Sequence, residues 1–268
     1  MDIKKIIKIA YKCILEEANS WPCLGLVSKK NSGSHNDMDI STFKKSAKIF
    51  INYFNDIYKK YYQIKTFNNL RNIGILTEEM MFKVTNNINT HKGLVFAFGI
   101  IFFNFLKVYF KEINFNNLCT EIKLFTEPLK NDYLNNLTLN SRINLLINDA
   151  RQTALSGYKV CFQALKEIEL IINEQPNLKK NQIIFLLILY FYLNIDDTTV
   201  INKIGYKRYL TSKKNIECLY NKIKINYNQY IDEINKVNNW AIINNISPGG
   251  CGDLVVITLF LRKIKSYI

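Results

Sequence analysis

Four short polar stretches interrupt an Ile-, Lys- and Asn-rich chain, and they collect the residue types that handle charge and protons. They are Asn31-Ser-Gly-Ser-His-Asn-Asp-Met-Asp39, Asn89-Thr-His-Lys-Gly93, Asp196-Asp-Thr-Thr199 and Asn244-Asn-Ile-Ser-Pro-Gly-Gly-Cys-Gly-Asp253. Both histidines and five of the ten glycines lie inside them. Glycine and proline serve where a backbone must take special conformations or approach a ligand closely, so the four islands read as walls of one site.

Each island supports a definite chemistry. In the first, Ser34, His35, Asp37 and Asp39 place an imidazole and two carboxylates together. Such carboxylates can share Mg²⁺ with substrate phosphates or act as base, and the histidine can donate to phosphate or move a proton. The competing reading is that Asp37 or Asp39 caps the helix that follows. In the second, Asn89, Thr90, His91, Lys92 and Gly93 supply the donors a triphosphate needs. They stand at a helix start, where free backbone N–H groups and the helix dipole favour an anion. In the third, Asp196 and Asp197 end a very apolar helix and offer a second metal-binding or base-supplying wall, unless the island merely caps the helix starting near Val200. In the fourth, Asn245, Ser247, Gly249, Gly250 and Asp253 surround a Pro-Gly-Gly turn leading into an apolar helix. This turn is neither a Walker loop nor a dinucleotide fingerprint, because the glycine spacing and the preceding strand are absent.

The elements that position these islands read as helices. Ile3, Ile6, Ile7, Ala10, Ile14 and Ala18 form one apolar face. Further helices are expected from Ser41 through Phe54, from Thr77 to about residue 86, and from Leu94 to about residue 111. Others are expected over 142–173 with an interruption at Ser156-Gly157, then over 178–194, 200–204, 212–244 with breaks, and 250–265. Only 4 Pro and 10 Gly in 268 residues leave few tight turns for a sheet. The expectation is a single all-α domain, residues 1–268, of roughly ten helices.

Bulk properties bound the partners. A formal charge of +14 suits an anionic ligand, but no block of five or more basic residues forms a nucleic-acid arm. A local positive pocket for polyphosphate is enough. Six cysteines show no CxxC pair and no zinc spacing. They read as free thiols in a reducing, cytoplasmic setting, and Lys8, Lys12 and Glu16-Glu17 interrupt any signal-peptide core. The apolar runs 94–103 and 183–193 fall short of the ~20 residues that span a bilayer, so no membrane span is expected. A homo-oligomer is compatible with all of this.

Taken together and in order, the islands resemble those of the triphosphoribosyl-dephospho-CoA synthases, which serve citrate lyase and malonate decarboxylase. The resemblance includes Phe96 and Gly99 after the second island, Gly205 after the third, and Leu254, Thr258 and Phe260 after the fourth. It implies an α-helical enzyme that takes ATP and 3′-dephospho-CoA, releases adenine, and joins the triphosphoribosyl unit to the acceptor's ribose 2′-hydroxyl. On that resemblance Asp37, Asp39, Asp196 and Asp197 hold Mg²⁺ or supply the base, and His35 does either. His91 and Lys92 bind triphosphate, Arg151 binds substrate, and the Ser247–Gly250 turn with Asp253 shapes the nucleotide pocket. Two segments depart from the family pattern. Pro22-Cys-Leu-Gly-Leu-Val-Ser28 stands for Pro-Lys-Pro-Gly-Leu-Val-Asp, and Arg151-Gln-Thr-Ala154 stands for Arg-Gly-Glu-Ala, with Gly157 kept. A relative that uses another acceptor, or a nucleotide- or CoA-binding protein without turnover, are the alternatives.

Overall fold

The computed structural model describes residues 2–111, 114–130 and 149–267, and every regular element among them is a helix. Helix α1 (Ile3–Ala18) is capped by the Asp2 carboxylate and buries the predicted face. Helices α2 (Ile40–Ala47) and α3 (Ile49–Lys59) replace the single helix expected from Ser41. The cap is Asp39, which accepts from the Thr42 N–H at 2.9 Å and from the Ser41 hydroxyl at 2.8 Å.

Helix α4 (Phe67–Val84) begins well before Thr77, because Thr66 and Asn69 cap each other reciprocally. That box uses Asn where the sequence signature expects Glu or Gln, so the helix start carries no standard sequence mark. Thr77 sits mid-helix and bonds back to the Ile73 carbonyl. Next come α5 (Lys92–Phe110), α6 (Leu118–Thr126), α7 (Ala150–Leu155) and α8 (Lys159–Glu174). They are followed by α9 (Lys180–Asn194), α10 (Thr198–Ile204), α11 (Tyr206–Ile223), α12 (Ile231–Ile243) and α13 (Gly249–Ile264). The expected interruption at Ser156-Gly157 separates α7 from α8. Residues 142–148 of the helix expected there lie outside the described residues.

Two helices make the centre. α5 and α13 start side by side, with Gly93 against Asp253. They continue together through Phe98, Phe102 and Phe105, whose rings meet Phe260 at 5.0, 6.3 and 5.8 Å between centroids. Helices α3 and α4 pack on α5, while α1, α8 and α9 pack on α13. A helix enclosed on all sides is apolar all round, and α5 buries thirteen of its residues. Its apolar character runs past Asn104, whose amide N–H donates to the Ile100 carbonyl at 2.9 Å while its Oδ1 stays unpartnered. Among the described residues α5 is therefore one helix long and apolar enough to cross a membrane, and 72% of that stretch is buried against its neighbours. The bent pair α9–α10 passes the same test only if counted together across a 71° break.

Candidate active site

The first turn of α13 is where the islands converge. The Ser34 hydroxyl donates to the Ile246 carbonyl at 2.7 Å, and His35 Nε2 lies 2.7 Å from Ser247 Oγ. Gly25, with φ +77°, brings its Cα so close that a Cβ would stand 2.0 Å from the Ile246 carbonyl oxygen. Only glycine fits there. The preceding loop is fixed by buried Asn238, whose Oδ1 accepts from the Cys23 and Leu24 N–H groups at 3.0 and 2.9 Å. Island one is thereby pinned to island four.

Island three clamps the same turn. Asp197 Oδ1 accepts from the Thr199 and Val200 N–H groups at 3.0 and 3.2 Å, and Oδ2 accepts from the Cys251 N–H at 2.9 Å. One carboxylate thus ties together the N-termini of α10 and α13. Burial pushes its carboxyl up, and the backbone donors oppose that shift. Thr199 and the Asp197 carboxylate lie against Gly249 and Gly250.

Two further carboxyls flank the turn without such partners. Asp253 lies so near Gly93 that a Cβ there would meet Oδ2 at 2.3 Å. Burial pushes its carboxyl well above the usual carboxylate range, and the charges of Glu17 and Asp197 add to the shift. Glu17, at the end of α1, lies against Gly252 and is raised to about 7 by burial. A small cavity of about 50 Å³ opens here, lined by Gly93, Thr153, Tyr158, Asp196, Asp197, Gly250 and Asp253. Beside it, sharing Gly93 and Ala150, is a cavity of about 420 Å³. Its floor is Phe67, Leu70, Phe96 and Ile100, and Arg71, Lys92 and Arg151 stand among its lining. A roomier groove of about 750 Å³ lies on the Glu16 side of α1 and includes no island residue; the island residues line the smaller pair.

Several expected site residues turn out to be scaffold. Asp39 is an exposed helix cap, held low at about 2 by the Thr42 N–H and the neighbouring hydroxyls. Asp196 is paired with Lys213 at 3.3 Å. Asp37 is exposed, 3.6 Å from His35 Nδ1. The four aspartates assigned to Mg²⁺ are therefore not gathered, and no set of three His, Cys, Asp or Glu among the described residues is arranged to hold a metal. They do not fit a shared metal cage.

His91 is also reassigned. It is buried between the rings of Phe43 and Phe50, with Nδ1 on the Ser46 hydroxyl. The same hydroxyl reaches the Phe43 carbonyl, and the other ring nitrogen, Nε2, is buried without a partner. Burial drives the ring down to about 3, so it is neutral and holds no phosphate charge. Asn89 accepts from the Lys92 N–H at 3.3 Å, the Thr90 hydroxyl is buried without a partner, and Lys92 pairs with Glu78 at 3.5 Å on the rim of the larger cavity. Asn245 is an exposed left-handed residue that turns the chain into island four.

The departures from the family pattern are internal. Ser28 Oγ accepts from the Lys30 and Asn31 N–H groups, the Cys23 thiol donates to the Leu26 carbonyl, and Thr153 bonds back to Asp149. Sequence reasoning missed Glu17, Tyr158 and Lys203. The Lys203 ammonium faces Asp37 and Asp197 and, together with burial, lowers His35. Tyr158 is a buried left-handed residue whose hydroxyl has no partner. Glu17 did leave a signal, since it falls three and four positions after Ile14 and Cys13 on the buried face of α1.

The fold is all-helical, and its polar loops meet at one carboxyl-lined turn beside an apolar, cation-rimmed cavity. The profile of the CitG family, ATP:dephospho-CoA triphosphoribosyl transferase, matches residues 3–268, and the chain belongs to that family. It is 27% identical to the 2-(5''-triphosphoribosyl)-3'-dephosphocoenzyme-A synthase of Haemophilus ducreyi, over 97% of this chain and 88% of that one. It is 26% identical to the synthase of the same name from Escherichia fergusonii, over 97% and 91%. It is 29% identical to Protein CitXG of Leuconostoc mesenteroides, matching 98% of this chain but 60% of that longer protein. No solved structure matches the chain.

Proposed function

We propose that the chain transfers the triphosphoribosyl group of ATP to the 2′-hydroxyl of 3′-dephospho-CoA and releases adenine. The observation that carries this reading is Asp253, a carboxyl with no hydrogen-bond partner among the described residues, which lines the cavity where the islands meet. Family membership supplies the substrates.

The chemistry asks for three things. A base must take the hydroxyl proton, negative charge must stabilise the oxocarbenium-like ribose carbon as the C–N bond breaks, and water must be kept out. Asp253 is the carboxyl placed to exchange that proton, its proton affinity raised by burial. Asp197, fixed by three backbone N–H groups, supplies a stationary negative charge beside it. The apolar floor of the larger cavity suits a base and ribose, while Arg71, Lys92 and Arg151 suit the phosphates. Any Mg²⁺ would arrive on the triphosphate, largely hydrated, and need only one or two carboxylates, of which exposed Asp37 is the open one. All six thiols are free, which supports a reducing, cytoplasmic setting.

The test is adenine release from ATP with Mg²⁺, with and without 3′-dephospho-CoA, products followed by mass. Acceptor-dependent adenine together with the coupled product is the expected result. Adenine without coupled product would point to another acceptor, and ATP binding with no adenine would overturn the transferase reading.

A further inference from the structure

The groove of about 750 Å³ on the Glu16 side of α1 shares no residue with the two cavities at the α13 turn, and its charge is one-sided. Lys12, Lys29, Lys179 and Lys180 bring four ammonium groups to its lining, against the single carboxylate of Glu16. That carboxylate is already taken, by Lys180 and by Lys263. Lys12 and Lys29 are exposed and pair with no carboxylate among the described residues. The groove therefore keeps an unbalanced positive charge.

Two kinds of unused donor stand in the same lining. Helix α9, fifteen residues long, begins here. Gln182 Oε1 accepts from the Lys179 N–H at 2.7 Å, but the Lys180 and Asn181 N–H groups find no acceptor among the described residues. Free N–H groups at the positive end of a helix dipole favour an anion. The second donor is Ser20, which is only 3% exposed and whose hydroxyl has no hydrogen-bond partner. A buried hydroxyl left unpaired costs stability, and an anion seated in the groove would accept from it.

The rest of the lining suits an organic body. Leu15, Trp21 and Ile184 supply apolar surface, and the Asn181 amide, donating to the Trp21 carbonyl at 2.7 Å, ties the tryptophan to the start of α9. Lys30 stands over the indole at 4.5 Å and adds one more cation. The volume is that of a small-molecule site.

We infer that this groove is a second ligand site, which takes a phosphorylated organic molecule of nucleoside-diphosphate type. Its phosphates are held by the start of α9 with Ser20, Lys12 and Lys29, and its organic part lies on Leu15, Trp21 and Ile184. An acidic protein would call for charge spread over a broad face, whereas here the donors gather in one groove around one helix start.

Trp21 and Trp240 are the two tryptophans of the chain, so Trp240→Phe leaves Trp21 as the sole fluorescent reporter. ADP is expected to change its emission saturably, and to bind about tenfold tighter than inorganic pyrophosphate because the apolar lining contributes. Lys12→Gln with Lys29→Gln in that background should weaken ADP about tenfold or more. No change in emission at millimolar ADP, the result for a face that takes only an acidic protein, would overturn the inference, as would equal ADP affinity in the lysine double variant. Pyrophosphate binding as tightly as ADP would overturn its organic half. If Trp240→Phe does not fold, acetylation of the unmodified protein read by mass spectrometry decides: ADP should protect Lys12 and Lys29, and equal labelling with and without ADP contradicts the site. Adenine release does not enter the readout, so failure of the transfer reading would leave this result standing.

Discussion

The starts of α5 and α13 look alike in sequence, each a polar loop with glycine running into an apolar helix, yet they do different work. At α5 the titratable group, His91, is enclosed by Phe43, Phe50 and Ser46 and lines neither of the two cavities. At α13 the backbone is seated by Asp197, and two other carboxyls beside it are left without partners. A polar group whose hydrogen bonds are taken by backbone is scaffold, whereas one left unsatisfied beside a cavity is available to a ligand. Gly93 is where the two starts touch.

The comparison breaks most visibly at its clamp. Asp197→Ala removes three backbone hydrogen bonds to a buried carboxylate and should cost about 4 kcal/mol in urea unfolding, clearly more than loss of the exposed cap in Asp39→Ala. Equal losses would show that Asp197 does not join the two helices.

Glu17→Gln should act in the opposite direction. An acid raised from 4.5 to about 7 in the folded state binds more protons folded than unfolded, so wild-type stability falls as pH rises through that window and is level above it. The variant should gain up to about 3 kcal/mol at pH 8 and nothing at pH 4. A variant less stable than wild type at pH 8 would mean that the carboxyl has a partner.

Gly93→Ala sharpens the contact between the two starts. The added Cβ falls on Asp253 Oδ2, so the carboxyl must move, and adenine release should drop about 100-fold. The melting temperature should change little, because the displaced atom ends a side chain.

His91 gives the smallest of the four effects. Its folded value, about 3, lies below the ordinary 6.5, so the unfolded chain takes up the proton first and stability is lost as pH falls below 6.5. At pH 5 that loss is about 2 kcal/mol, and His91→Gln should flatten the acid side of the stability curve. An unchanged slope would place the ring in water.

Much of this was legible beforehand, for physical reasons. The all-helical fold follows from apolar spacing and scarce turn residues, and the islands were visible because glycine, proline and acids cluster there. Capping was the competing reading for the acids of the first and third islands, and it is the one the structure bears out at Asp39 and Asp197. What the sequence could not decide was nonlocal. Nothing near His91 shows that Phe43 and Phe50 will enclose it, and nothing near Asp196 shows that Lys213 will pair with it. Glu17 looked like a polar break in α1, although its register put it on the buried face.

The most direct measurement is acceptor-dependent adenine release by wild type, Asp253→Asn and Asp39→Asn under one set of conditions. Asp253→Asn should lose about 10²- to 10⁴-fold with the fold intact by circular dichroism, and Asp39→Asn should stay within about twofold, as a surface cap should. Full activity in Asp253→Asn, or a collapse in Asp39→Asn with the fold retained, would place the chemistry at the first island and contradict the account.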